Sequence, residues 1–199
     1  MSLKRREYDG VEFNEILKSK HARYIDGGIV VSKELIPLEY LPPGTILGKC
    51  TAGGHDEEDK YGPVVRGEVD SMTHGTDTIE METEEDLWGF QVGDKVVGVN
   101  ASGARITPHV SDDLEITAID VATKTITVTA LEDGSGTLAA DYLQKDDGTS
   151  KALLVCTHGI DLRNEDQFVG GILHGAVHKD RLVNYDEFVD GDLPLISFE

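Results

Sequence analysis

Basic side chains are scarce in this chain. Eighteen Lys and Arg stand against 38 Asp and Glu, a formal net charge of −20 over 199 residues. Phosphate binding needs clustered Lys and Arg, so nucleic acid is not an expected partner. An anionic membrane surface repels the same charge, and a membrane partner is not expected either. What the charge fits is solubility at high concentration, or docking on a basic protein surface. Long apolar runs are also missing. The longest, Ala152–Cys156 ("ALLVC"), falls far short of the ~20 residues of a membrane-spanning helix. The opening "MSLKRREYDG" is basic but leads into no apolar stretch, so no secretory signal is expected and the protein is expected to be made in a reducing cytosol. There are only two cysteines, Cys50 in "TILGKCTAG" and Cys156 in "ALLVCTHG". Each reads as a buried strand thiol, with a single disulfide between them left open. Neither belongs to a CxxC pair, which argues against a structural zinc site.

What the sequence does hold is glycine, 22 residues of it, and β-branched runs. Together these point to a mainly β chain with many turns. Residues 1–28 read as an arm. "EFNEILKSKHARY" predicts a short helix with Phe13, Ile16 and Leu17 on one side, and the thin apolar stripe predicts order only against a partner. From Gly27 the chain turns strand-like through "GGIVVS", "LPPGTILGKC" and "YGPVV", with Pro42-Pro43-Gly44 as a strong turn signal. Between Glu68 and Asp86 stand eight acidic residues and no Lys or Arg. That stretch reads as a solvated connector or exposed hairpin; a divalent-cation site is the rival, without EF-hand spacing. From about Trp88 to Tyr142 a second β-unit is expected. In "TKTITVT", Ile126 and Val128 alternate with threonines, the period of a half-buried antiparallel strand. "LEDGSGTLAADYLQKDDGTS" reads as the exit linker, after which "KALLVCTHGIDL" and "FVGGILHGAVHKDRL" resume the β pattern. No helix is demanded outside the arm.

The chemistry-bearing candidates are the histidines. His174 and His178 stand four apart in "GGILHGAVH", the spacing that puts two zinc ligands on one helix face. Glycines at 170, 171 and 175 disfavour a helix, and Gly175 stands where HExxH carries glutamate. On a regular strand the two side chains would share a face about 13 Å apart, too far for one ion. His158, with Asp161 nearby in sequence, could join a hydrolytic set, but the chain has no GxSxG, and the serines of "NASGA" and "DGSGT" lack patterned partners. GxGxxG and GxxxxGK[ST] are also missing, which argues against nucleotide binding. No catalytic residue, cofactor or metal ligand is therefore assigned. A metal-dependent enzyme using His158, His174 and His178 stays as the outlying alternative.

Two passages carry a resemblance. In "GGIVVSKELIPLEYLPPGTILGKCTAGGHDEEDKYGPVV", the stretches Gly44–Lys49 and Lys60–Pro63 resemble the opening half of the lambda-type head decoration proteins of tailed phages. "KALLVCTHGIDL…FVGGILHGAVHKDRLV" resembles their closing half, with Gly175, Val177 and Leu182 at the matching places. The resemblance covers roughly residues 27–67 and 150–185 and rests on short, mostly structural motifs. It implies a small β-barrel or β-sandwich core, built from 29–67 and 146–199 and interrupted by an inserted β-domain over 68–145. The resemblance has no counterpart for that middle unit. It further implies a structural virion protein on the capsid exterior, made in the bacterial host cytoplasm, with no active site. Homotrimers would bind the major capsid protein at three-fold positions and stabilise the expanded head. Ile25, Ile29, Val30 and Val31 are the expected capsid-binding residues of the arm. Pro43, Gly44, Thr45, Gly48, Lys49 and Gly175 are the expected structural motif. Another virion component, such as a head fibre or tail tube, is the nearer alternative.

Overall fold

Strands dominate the chain because its apolar residues come in short β-branched runs between glycine and polar turns. The computed structural model describes residues 16–18, 21–36, 38–51, 57–73, 77–106, 114–129, 131 and 140–199. Among these residues sixteen strands follow in chain order: β1 Arg23–Tyr24, β2 Ile29–Val31, β3 Tyr40–Leu41, β4 Ile46–Lys49, β5 Tyr61–Pro63, β6 Arg66–Thr73, β7 Thr78–Met81, β8 Lys95–Val99, β9 Leu114–Asp120, β10 Thr125–Val128, β11 Tyr142–Lys145, β12 Ala152–Cys156, β13 Ile160–Asp161, β14 Gln167–Val169, β15 Gly171–Val177 and β16 Ile196–Phe198. The chain is mainly β. Among the described residues no helix is long and apolar enough to cross a membrane.

The described strands divide into two large assemblies and one small one, the antiparallel pair β3-β13. An eight-stranded sheet runs β1-β15-β12-β4-β5-β2-β14, with β16 added in parallel to β15. Between β5 and β12 the chain leaves that sheet and closes a six-stranded barrel in the order β10-β7-β6-β11-β8-β9. The acidic stretch from Glu68 supplies the barrel's β6 and β7, which pair as a hairpin with Glu68, Asp70 and Glu80 exposed.

Sequence pattern explains the difference in packing. Barrel strands have one wet face, so they alternate: Leu114 and Ile116 point in while Glu115 and Thr117 point out, and Ile126 and Val128 are buried between half-buried threonines. Ile79, Met81, Phe90 and Leu143 complete that interior. The sheet is covered on both faces, so its strands read as continuous apolar runs. In β4, Leu47 joins one core with Ile29, Val31, Leu154 and Cys156, whereas Ile46 joins the other with Val155, Ile172, Val177 and Ile196. In β12 a register shift between Ala152 and Leu154 leaves Leu153 37% exposed inside an otherwise buried run. Trp88, the one tryptophan, packs against both the barrel core and the first sheet core.

Two expectations are corrected. The segment from Ile16 is not a detached arm. Ile16 is fully buried in the second sheet core, Leu17 bridges to Val177, and β1 pairs with β15. Ile16 is helical, as expected, but is packed on the sheet; the preceding residues of the expected helix, Phe13 included, lie outside the described residues. A short helix near the C-terminus was also missed. α1, Glu187–Asp192, is capped by Asp186, whose carboxylate accepts from the Phe188 and Val189 amides.

The two cysteines form no disulfide and are fully buried. Burial pushes the Cys156 thiol up to about 12, so thiolate is suppressed. A thiol reagent at mildly alkaline pH is expected to label neither cysteine in the folded protein and both in denaturant. Fast labelling of the native chain would contradict this burial.

Candidate functional site

The two assemblies meet at a cleft that begins with one arginine. Arg66 opens β6, and its side chain is only 6% exposed. Its guanidinium donates to Asp186 Oδ2 at 2.8 Å, to Gln144 Oε1 at 3.0 Å and to the Ser150 carbonyl at 2.9 Å. The same group lies 4.3 Å from the centroid of the Phe188 ring. Asp186 thus ties barrel to sheet while capping α1. Burial holds its carboxyl above the usual range despite the neighbouring arginine. Beside it Tyr142 meets Phe188 edge to face at 5.1 Å and donates to Glu187 Oε1. Burial, with that carboxylate next, pushes the Tyr142 phenol up to about 12. Glu68, Glu85, Asp86 and Lys179 line the rim. Arg66, Asp186 and Tyr142, the groups at the centre of this cleft, are engaged in holding the two units together.

A second tie lies beside the first, on the β11 residue that follows Gln144. Lys145, 2% exposed, donates to Asp94 Oδ2 at 2.8 Å and to the Leu35 carbonyl at 3.3 Å. A third plug is Asn184, at φ 56°. Its amide accepts from the Ile46 N–H and donates to the Ile46 and Val64 carbonyls, clasping β4 against the start of the barrel connection. Arg66, Lys145 and Asn184 escaped sequence reasoning because isolated polar residues announce no buried partner; each partner is remote in sequence.

The residues singled out from the sequence fall into three places. Pro43, Gly44 and Thr45 form a buried turn. Gly44 has φ +84°, and a Cβ there would stand 2.4 Å from the Arg181 carbonyl oxygen. Thr45 donates its hydroxyl to the Pro42 carbonyl. Gly48 and Lys49 lie in β4, opposite Gly62 and Tyr61 of β5, so Gly44–Lys49 and Lys60–Pro63 become adjacent strands. Lys49 pairs with Asp59 at 2.6 Å. Ile29, Val30 and Val31 form β2, which is bonded to β5 on one side and β14 on the other. Ile29 and Val31 are buried at 4% and 0%, and Ile25 packs against the same core. That corrects their expected role, because a strand already paired on both edges and facing a core has no edge to add to a capsid.

The histidines are dispersed along the sheet. His158 sits after β12 with Nδ1 2.8 Å from the Thr157 hydroxyl, while neighbouring Asp161 binds Arg163. His174 is exposed in β15, and His178 follows its end. Among the described residues no three His, Cys, Asp or Glu side chains gather as metal ligands. Regular alternation along β15 also fails. Ile172 and Val177, five apart, are both buried, and the phase changes across Gly175 at φ +153°, a conformation open almost only to glycine.

A polar cluster anchors β14. Lys60 Nζ binds Asp166 Oδ2 at 2.7 Å and Glu57 Oε2 at 2.8 Å. The Lys60 hydrogen bond holds the Asp166 carboxyl below its ordinary 3.8. Burial raises Glu57, but Lys60 and Ser32 outweigh it and leave it below 4.5. Depressed carboxyl pKa values stabilise the fold above the ordinary values and lose that contribution as pH falls through the folded ones. The stability difference between wild type and Lys60→Met is therefore expected to be largest near pH 6 and to vanish towards about pH 2. A difference independent of pH in urea titrations would rule out this linkage.

No protein-family model, curated protein or solved structure matches the chain.

Proposed function

We propose that the protein is a structural virion component that binds the outer surface of a tailed-phage capsid at three-fold positions and stabilises the expanded head. The observation that carries this reading is the placement of the two stretches that resemble head decoration proteins. Strands from 29–63 and from 152–177 lie side by side in one sheet, in the order β15-β12-β4-β5-β2-β14. The unmatched middle, by contrast, closes into a barrel of its own. The acidic outer wall of that barrel suits a module that projects from a shell and is repelled by the genome. Because Ile16 and β1 are packed on the sheet, the capsid-contacting part of the arm is assigned to residues 1–15. Several such contacts per oligomer convert weak single contacts into durable binding.

Cosedimentation with heads of the phage or prophage that encodes the chain tests the reading. Saturable binding to expanded heads, weak binding to unexpanded shells, and heads that survive chelator and heat only when decorated are the expected results. Removal of residues 1–15 is expected to abolish binding while leaving a folded protein by circular dichroism. Full-length protein that ignores expanded heads, or that copurifies with tails, would overturn the proposal.

A further inference from the structure

The main path of the eight-stranded sheet ends at β1 and β14, and among the described residues no strand pairs with the outer edge of either. Exposed edges are usually blunted by charge. β14 instead presents Phe168, 74% exposed, beside half-buried Val30 across the β2 pairing. The two ends also differ in charge. Arg23 stands in β1 and Glu165 leads into β14, whereas Lys18 and Asp166 near the same ends are already paired with Glu199 and Lys60. Both Arg23 and Glu165 are exposed. Within an acidic chain, the exposed Arg23 of one sheet end complements the exposed Glu165 of the other.

Strand direction fits as well. β1 and β12 run antiparallel to β15, β4 antiparallel to β12, and β5 antiparallel to β4. β2 is parallel to β5, and β14 is antiparallel to β2. It follows that β14 and β1 point in opposite senses. Two copies related by rotation about an axis along the strands would place β14 of one against β1 of the next as an antiparallel pair. Such a head-to-tail contact closes into a ring when the rotation divides the circle.

We infer that the partner of the β14 edge is a second copy of this chain, docked through its β1 edge and covering Phe168. The inference rests on the decoration reading for its expected three-fold closure, but the contact itself is tested without capsids. Light scattering on the full chain is expected to give about three times the 21.6 kDa chain mass. Phe168→Asp is expected to reduce it to one chain, with circular dichroism and melting otherwise those of a folded protein, since the side chain lies outside both cores. Arg23→Glu and Glu165→Lys should each weaken assembly roughly tenfold or more, and the two together should restore it. Restoration by the charge swap is a result that a merely structural role would not give. An oligomer that survives Phe168→Asp overturns the edge contact and leaves the capsid reading standing. A wild-type monomer at every concentration also overturns it, and head binding by that monomer then decides the capsid reading separately.

Discussion

Arg66→Ala is expected to destabilise the protein by about 3–5 kcal/mol, the range for removing one partner of a buried ion pair. The loss is large for three reasons. Asp186, with a side chain 22% exposed, keeps its charge and its place at the α1 cap. The Gln144 amide oxygen and the Ser150 carbonyl lose their donor, and an acceptor left unsatisfied costs about 1–3 kcal/mol. The Phe188 ring loses the cation above it. Since total stability is typically about 5–15 kcal/mol, much of it would go. Trp88 fluorescence in urea reads this directly, because that side chain packs against the cores of both units. Arg66→Met combined with Asp186→Asn should recover most of the loss, as the charge is gone and asparagine still caps the helix. The pH response has a definite sign. Burial already raises the Asp186 carboxyl, and losing the arginine raises it further. A raised folded value penalises the ionised form, so the penalty is full above it and is relieved as pH falls through it. The deficit of Arg66→Ala should therefore shrink on acidification. A deficit below about 1 kcal/mol would show that the arginine does not bind the units together.

The sequence reading succeeded where pattern and burial are the same fact. Ile126 and Val128 alternate with threonines, and that alternation is the barrel wall. "ALLVC" and "ILG" are continuous because the sheet is covered on both faces. Pro43-Gly44 announced a turn, though not that it would be buried beneath Arg181. The reading failed where tertiary context decides. "HARY" falls in what reads as a partner-dependent arm, yet β1 is a paired strand because β15 offers it an edge, whereas "GGIVVS" forms β2 as its strand-like run suggests. α1 is a helix of six residues containing Gly191, so no apolar period could develop. Its only local signal was Asp186 before Glu187-Phe188-Val189, an acidic cap ahead of one buried residue. Arg66, Lys145 and Asn184 left no trace at all, since a buried polar residue is recognisable only through partners far along the chain.

Gly48→Ala should cost about 3 kcal/mol, the upper end for overpacking a filled interior, and bring the chain near its folding limit. Gly48 lies in β4 between Gly62 of β5 and Ala152 of β12. A Cβ there would stand 1.9 Å from the Thr149 carbonyl oxygen and 2.6 Å from that of Lys151. Both obstacles are backbone, so no rotamer change removes them. The turn that carries them is itself fixed. Asp147 Oδ1 accepts from the Thr149 amide at 2.8 Å and from its hydroxyl at 2.6 Å, and Thr149 is 1% exposed. Retreat of that turn would pull on β11 and β12 together, because it joins barrel to sheet. Gly191→Ala is the control. Nothing lies within 4 Å of a Cβ at that helical position, so alanine's better helix propensity should make the change neutral or stabilising by up to about 1 kcal/mol. Thermal melts of the two variants separate packing from composition, since both replace one glycine by one alanine. Gly48→Ala melting with wild type would mean that the 147–151 turn yields freely. In that case the glycine of the "ILGK" motif would need an explanation at the protein's surface rather than in its core.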